Sequence, residues 1–240
     1  LRIPEPQSLP LLFGTAVHDV LEACTRAHTK SGSLPSDTVI KQLLEQELSR
    51  MPLTTEDFSQ LLEKGLAALY PYTAYLTKTL PKQTKEELKL TVLLPTGIPE
   101  LPELPLTGKL DRIDMSDDGT ALRVVDYKTG KPKSRNDIEG NTKSSDGGYK
   151  RQLVFYALLL ELYDDERYLT NEGVLSFVEA TPKGEIKEEH FTVTKEEVQS
   201  LKQEIITAAQ AVITGDFLTT LPTSEESDYW QLAAQLVGRK

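Results

Sequence analysis

Asp126 and Lys128 stand two residues apart at the end of the run Leu122-Arg123-Val124-Val125, just before Gly130 and Pro132. A carboxylate and an ammonium placed this way are either an exposed ion pair at a turn or part of a metal-dependent site. Asp118-Gly119 upstream is a strong signal for a two-residue hairpin turn. With those two residues at the centre, Asp117 faces Thr120 and, counting back, Asp111 lies opposite Asp126. Facing carboxylates destabilise a sheet, so a shared proton or a bound cation must offset them. A pair roughly 5 Å apart suits Mg²⁺, which takes oxygen ligands and keeps several waters. Such an ion polarises a phosphoryl oxygen and lowers the pKa of a bound water. Side chains alternate along a strand, so Lys128 shares the face of Asp126 while Tyr127 points to the other. Lys128 would hold the attacking water or offset charge on a phosphate. A bulge or a longer turn would slip this register.

Other residues can join the pair. His18 lies on a helix beside Val17 and Leu21, with Glu22 one turn later to orient it. Gln152 and Tyr156, four apart in the apolar stretch "YKRQLVFYALLLELY", share a helix face and need polar partners. Between residues 128 and 151, Lys128, Lys131, Lys133, Arg135, Lys143, Lys150 and Arg151 outweigh Asp137, Glu139 and Asp146. That excess is either a phosphate-contacting strip or a solvated loop. His28 and His190 have no supporting pattern, and Cys24 has no nucleophile context. No Gly-rich phosphate loop or serine elbow is present.

These residues need a scaffold. With 240 residues and 38% hydrophobic content, the chain can form one large domain or a domain with a sub-domain. It contains no apolar run long enough for a membrane helix, and its first residues show no sign of a secretory signal, so none is expected. Its net charge of −10 argues against binding nucleic acid through overall charge, but not through a local strip. One cysteine excludes an internal disulfide and a cysteine-rich zinc site, so a reducing, cytoplasmic setting is expected. A start on Leu1 suggests a piece of a longer protein.

Residues 1–11 read as an extended lead-in. Helices are expected from Gly14 to about His28, from Ser36 or Asp37 to about Ser49, and from Thr55 to Leu80 with a kink at Pro71. "EELKLTVLL" reads as a strand, followed by a proline-rich loop (Pro95, Pro99, Pro102, Pro105). "LTGKLDRIDM" and "ALRVVDYK" form the hairpin already described. A polar loop spans 129–148, and a buried helix carries Gln152 and Tyr156. "EGVLSFVEA" and "EIKEEHFTVT" form a second hairpin, and a last helix runs from Lys195 to Ile213. The expected class is α/β: a mixed β-sheet core flanked by helices, with an N-terminal helical sub-domain. The divisions are 1–85 for the helical part, 86–218 for the core and 219–240 for a tail.

"GTAVHDVLE" (14–22), "GKLDRID" (108–114), "VVDYKTGK" (124–131) and "YKRQLVFYALLLE" (149–161) together resemble the RecB-like domains of the PD-(D/E)XK nuclease superfamily. The resemblance spans about residues 12 to 218 and implies a restriction-endonuclease-like fold. It implies a deoxyribonuclease, with exonuclease the expected mode, in which His18, Asp111, Asp126 and the Val125 carbonyl hold Mg²⁺ or Mn²⁺. Lys128 would be the catalytic lysine, and Gln152 and Tyr156 would match the family's Gln-x-x-x-Tyr helix. Glu87, or else Glu86, is similar to a family glutamate. DNA is the implied partner, together with a helicase motor in the same chain or another subunit, acting in repair or recombination. Many relatives end in cysteines that hold an iron–sulfur cluster. None stands in "LPTSEESDYWQLAAQL", so no cluster is expected and the tail should dock through Tyr229 and Trp230. The rival reading is a non-catalytic DNA-binding or scaffolding module on the same fold.

Overall fold

The computed structural model describes residues 8–163 and 165–216. The tail expected to pack through Tyr229 and Trp230, and the proline-rich start up to Gln7, lie outside the described residues. Helices α1 (Leu9–Ser31), α2 (Asp37–Ser49) and α3 (Thr55–Thr79) come first. Strands β1 (Gln83–Ile98), β2 (Leu101–Met115) and β3 (Ala121–Lys128) follow, then a short α4 (Arg135–Ile138) and α5 (Gly148–Tyr163). Strands β4 (Glu172–Phe177) and β5 (Lys187–Thr192) and helix α6 (Lys195–Thr214) complete the order. The five strands form one sheet in the order β1-β2-β3-β4-β5, with β3 and β4 parallel and the other neighbours antiparallel. The crossover from β3 to β4 runs through α5, as a parallel pair requires.

Each face of the sheet carries its own core. Leu90, Leu110, Ile113, Val124, Leu175 and Phe177 pack against α5 and α6. Val125, Tyr127, Val174 and Val178 pack against Val17, Leu21, Tyr72 and their neighbours on α1–α3. The N-terminal helices therefore share a core with the sheet. Alternation along β3 sorts its residues between the two: Val125 and Tyr127 go to one side, Val124 to the other.

Several expected boundaries change. Leu9 to Leu11 belong to α1, because Pro10 stands in its first turn, where a missing N–H costs nothing. The helix runs on to Ser31 and stops at Gly32, whose φ of 77° is left-handed. The proline-rich stretch is a hairpin ribbon rather than a loop: Pro95 pairs with Glu103, and Leu93 with Pro105. Its prolines are tolerated because β1 is an edge strand and this half of β2 extends past its pairing with β3. The polar loop 129–148 contains α4, capped by the Ser134 side chain accepting from the Asp137 N–H. Pro71 lies inside α3, which continues through it to Thr79. Among the described residues no helix is long and apolar enough to cross a membrane.

The β2–β3 turn is longer than the expected two residues. Ser116 N–H bonds to the Thr120 carbonyl, and Gly119 takes a φ of 81° inside a three-residue loop. Met115 accordingly pairs with Ala121, one position off the expected register. The offset is removed at Leu122, where a bulge lets Asp114 pair with Arg123 and Arg112 with Val125. The longer turn and the bulge cancel, and the row expected for Asp111 and Asp126 is restored.

Candidate active site

One residue beyond the Arg112–Val125 pair the regular ladder gives way. Asp111 Oδ2 itself accepts the Tyr127 N–H at 2.9 Å, where a strand carbonyl would otherwise serve. On the other side Glu86 pairs with Arg112 and Leu88 with Leu110, leaving Glu87 between them at a φ of 52°. Among the described residues Glu87 is the only non-glycine with positive φ. Such a backbone costs on the order of 1–3 kcal/mol and persists where the surroundings enforce it, commonly at functional sites. Glu87 also forms an ion pair with Lys109.

His18 reaches this row from α1. Its Nδ1 lies 3.3 Å from Asp111 Oδ1, and its Nε2 lies 3.1 Å from the Tyr127 carbonyl. Burial opposes a charge on the ring, but the hydrogen bond and charge of Asp111, aided by Asp126, outweigh it and raise the His18 pKa above 6.5. Ligand atoms of His18, Glu87 and Asp111 all lie within 4.8 Å of one another. Two carboxylates and an imidazole suit Mg²⁺ or Mn²⁺, the imidazole being the more congenial to Mn²⁺. This donor set fits a divalent ion.

Asp126 stands beside that group in a ring of four side chains. Lys128 Nζ donates to Gln152 Oε1 at 2.6 Å, and Gln152 Nε2 donates to the Tyr156 hydroxyl at 2.7 Å. Tyr156 donates to Asp126 Oδ1 at 2.9 Å, and Lys128 Nζ closes the ring 2.6 Å from Asp126 Oδ2. Apart from that ion pair, Asp126 Oδ2 is buried without a directed hydrogen bond. Burial, and then the charge of Asp111, raise the Asp126 pKa against the opposing pull of Lys128. The polar pair on an otherwise apolar α5 thus finds its partners at the end of β3. Gly108 permits the approach of β2 to α5, since a Cβ there would sit 2.4 Å from Leu159 Cδ1.

The other expected residues are distributed as follows. Val125 is fully buried, paired with Arg112 on one side and Val174 on the other, and the carbonyl that faces His18 belongs to Tyr127. Glu22 is turned to Arg26, and Asp111 orients the His18 ring in its place. Glu86 accepts from Thr84, and of the two it is Glu87 that groups with His18 and Asp111. The basic strip divides. Lys131 and Lys133 are exposed near Lys128, and Lys133 Nζ lies 4.6 Å from the centre of the Tyr149 ring. Arg135 instead lies over Phe191 and donates to the His190 carbonyl at 3.0 Å, covering the open edge of β5. Lys150 is 3.4 Å from Glu197, while Arg151 is exposed on α5.

Two features went unread in the sequence. Asp114 and Arg112 form a buried ion pair at 2.7 Å, extended by Arg123 to Asp114 at 2.7 Å and by Arg112 to the Tyr127 hydroxyl at 2.8 Å. The pair lies on the α1–α3 side of the sheet and braces the strands that present Asp111 and Asp126. Tyr149, in the first turn of α5, has Lys128 Nζ 4.5 Å from its ring centre. An aromatic residue between Lys-rich segments was the available signal.

The sequence matches the PD-(D/E)XK nuclease superfamily over residues 1–225. No protein with a curated function matches it. Among solved structures, a protein from Eubacterium rectale described as a candidate exonuclease is similar at 16% identity and a TM-score of 0.46, covering 89% of this chain and 69% of that one. The mixed five-stranded sheet, flanked by helices and preceded by a helical region, is the restriction-endonuclease-like architecture of that superfamily.

Proposed function

Because the chain belongs to the PD-(D/E)XK nuclease superfamily, we propose that it hydrolyses phosphodiester bonds of DNA with the help of Mg²⁺ or Mn²⁺. The observation that carries this reading is the closed ring of Asp126, Lys128, Gln152 and Tyr156 beside the grouped ligand atoms of His18, Glu87 and Asp111. His18, Glu87 and Asp111 would hold the ion, while the two oxygens of Asp126 are held by Tyr156 and Lys128. The ion would supply a polarised phosphoryl oxygen and a water of lowered pKa.

The chain's own groups do the positioning. Tyr156 holds one oxygen of Asp126, and Asp126 together with Gln152 holds the Lys128 ammonium. Lys128 is thereby pre-organised to steady the attacking water and to offset charge on the phosphate, where a fixed cation is worth more than a mobile one. Lys133, which shares the Tyr149 ring with Lys128, and the exposed Lys131 would give the strand a local positive path in an acidic protein. The resemblance to RecB-like domains supports an exonuclease working beside a helicase motor, in the same chain or a partner, in repair or recombination.

Labelled single- and double-stranded DNA incubated with Mg²⁺ or Mn²⁺ tests the reading. Wild type should cleave, with products shortening from an end, and Asp126→Ala and Lys128→Ala should not. Cleavage that survives both substitutions would remove the site from this location.

A further inference from the structure

Lys128 has three N–H donors. Asp126 Oδ2 and Gln152 Oε1 each lie 2.6 Å from its nitrogen, and the Tyr149 ring, centred 4.5 Å away, is the third neighbour. Of the three, the ring binds an ammonium least tightly, because the other contacts are charge-assisted. It is the contact that a phosphoryl oxygen would displace. The same ring has a second cation beside it, Lys133 Nζ at 4.6 Å. The Lys133 backbone is held in place, since Lys187 Nζ donates to its carbonyl at 2.6 Å. The base of the intervening loop is held too: Gly140, at a φ of 80°, approaches Gly147 so closely that a Cβ would meet its backbone nitrogen at 2.8 Å. Two ammonium groups gathered on one ring repel each other, and an anion between them relieves that repulsion.

We propose that Tyr149 is a positioning residue that holds Lys128 and Lys133 as a pair for the phosphates of the substrate strand, the scissile one at Lys128 and its neighbour at Lys133. This rests on the nuclease reading above. Loss of the ring frees both cations together, so their contributions are coupled through Tyr149.

The test is a double-mutant cycle on the full chain, using Tyr149→Leu, Lys133→Gln and their combination, with Tyr149→Phe as the conservative variant. Two readouts are taken: cleavage kinetics in Mn²⁺, and anisotropy of a fluorescein-labelled single-stranded oligonucleotide in EDTA. Tyr149→Leu should lower kcat by about tenfold and weaken oligonucleotide binding by about threefold. Lys133→Gln should weaken binding to a similar degree and raise KM, with a smaller fall in kcat than Tyr149→Leu. The double variant should bind no worse than Tyr149→Leu, and Tyr149→Phe should recover most of the loss. Independent, multiplying effects of the two substitutions overturn the proposal, as does a Phe variant as impaired as Leu. If wild type cleaves no DNA but the binding cycle is non-additive, the nuclease reading fails and the phosphate pair stands. If wild type cleaves and the cycle is additive, the nuclease reading stands and the pair fails. Absence of both cleavage and binding removes both.

Discussion

The Tyr156 hydroxyl donates to Asp126 Oδ1 across 2.9 Å and so ties the middle of α5 to the end of β3. The same oxygen accepts from Gln152 Nε2 at 2.7 Å, so its one proton is committed toward the carboxylate. Burial, followed by the charges of Asp126 and Asp111, pushes the Tyr156 pKa up and keeps that proton in place. Three donors then run in one sense, from Lys128 through Gln152 and Tyr156 to Asp126, and the ammonium of Lys128 meets Asp126 directly to close the ring.

Removing that hydroxyl breaks the ring at two bonds. Tyr156→Phe leaves Asp126 Oδ1 and Gln152 Nε2 without partners, which costs about 1–3 kcal/mol of stability. Activity should fall about 10- to 100-fold, the usual cost of losing a group that orients a ligand. Urea unfolding and single-turnover cleavage check the two numbers, and an unchanged rate would show that the ring is not needed for the chemistry.

Asp126 should be a liability to the fold. Its pKa is raised in the folded state, chiefly by burial. Its contribution to stability is therefore full in acid, below the ordinary carboxyl range, and is lost as pH rises through the raised value. Asp126→Asn removes that loss. The variant should be inactive yet melt about 2–4 °C higher than metal-free wild type near neutrality, the shift given by roughly 1 kcal/mol in a chain of this size. The gap should close as pH falls toward 4. A lower melting temperature at neutral pH would count against burial as the dominant influence.

Metal binding should depend steeply on pH through His18. Both of its ring nitrogens face acceptors, and its pKa is raised by Asp111 in spite of burial. In the metal-free protein the proton on His18 stabilises the fold below pH 6.5, and that contribution fades as pH rises through the elevated value. A metal must displace the same proton. Calorimetric Mn²⁺ titrations should show affinity rising up to about tenfold per pH unit through this range, with proton release. His18→Ala should flatten the profile and weaken binding.

The two aspartates of "DRID" should separate cleanly. Asp111→Ala leaves the buried Tyr127 N–H without its acceptor and should cost about 1–3 kcal/mol, less than the loss of Asp114, while abolishing stabilisation by Mn²⁺. Asp114→Ala strands the buried Arg112 without its partner and should cost about 3–5 kcal/mol. Thermal melts with and without Mn²⁺ distinguish them. Equal behaviour would merge two roles that the geometry keeps apart.

What the sequence disclosed about the site followed from periodicity. Alternation put Asp126 and Lys128 on one face and Tyr127 on the other, and helical spacing aligned Gln152 with Tyr156. Long-range neighbours leave no such trace. Nothing local to Glu22 says that it will turn to Arg26, or that Asp111 will orient His18 in its place. Nothing local to Glu87 announces a left-handed backbone. The prolines at 95, 102 and 105 suggested a loop because their tolerance depends on an unpaired strand edge, which belongs to the sheet rather than the segment. Charge alone does not show that a strand edge will also engage Arg135.

The turn and the bulge between β2 and β3 work as a frame correction. The turn takes in one residue more than a two-residue hairpin, and the bulge at Leu122 takes in another, so the row of Asp111 and Asp126 keeps its phase. Deleting one residue from Ser116–Thr120 would let the strands pair without the bulge, and Asp111 would still lie opposite Asp126. A shorter turn makes the bulge unnecessary.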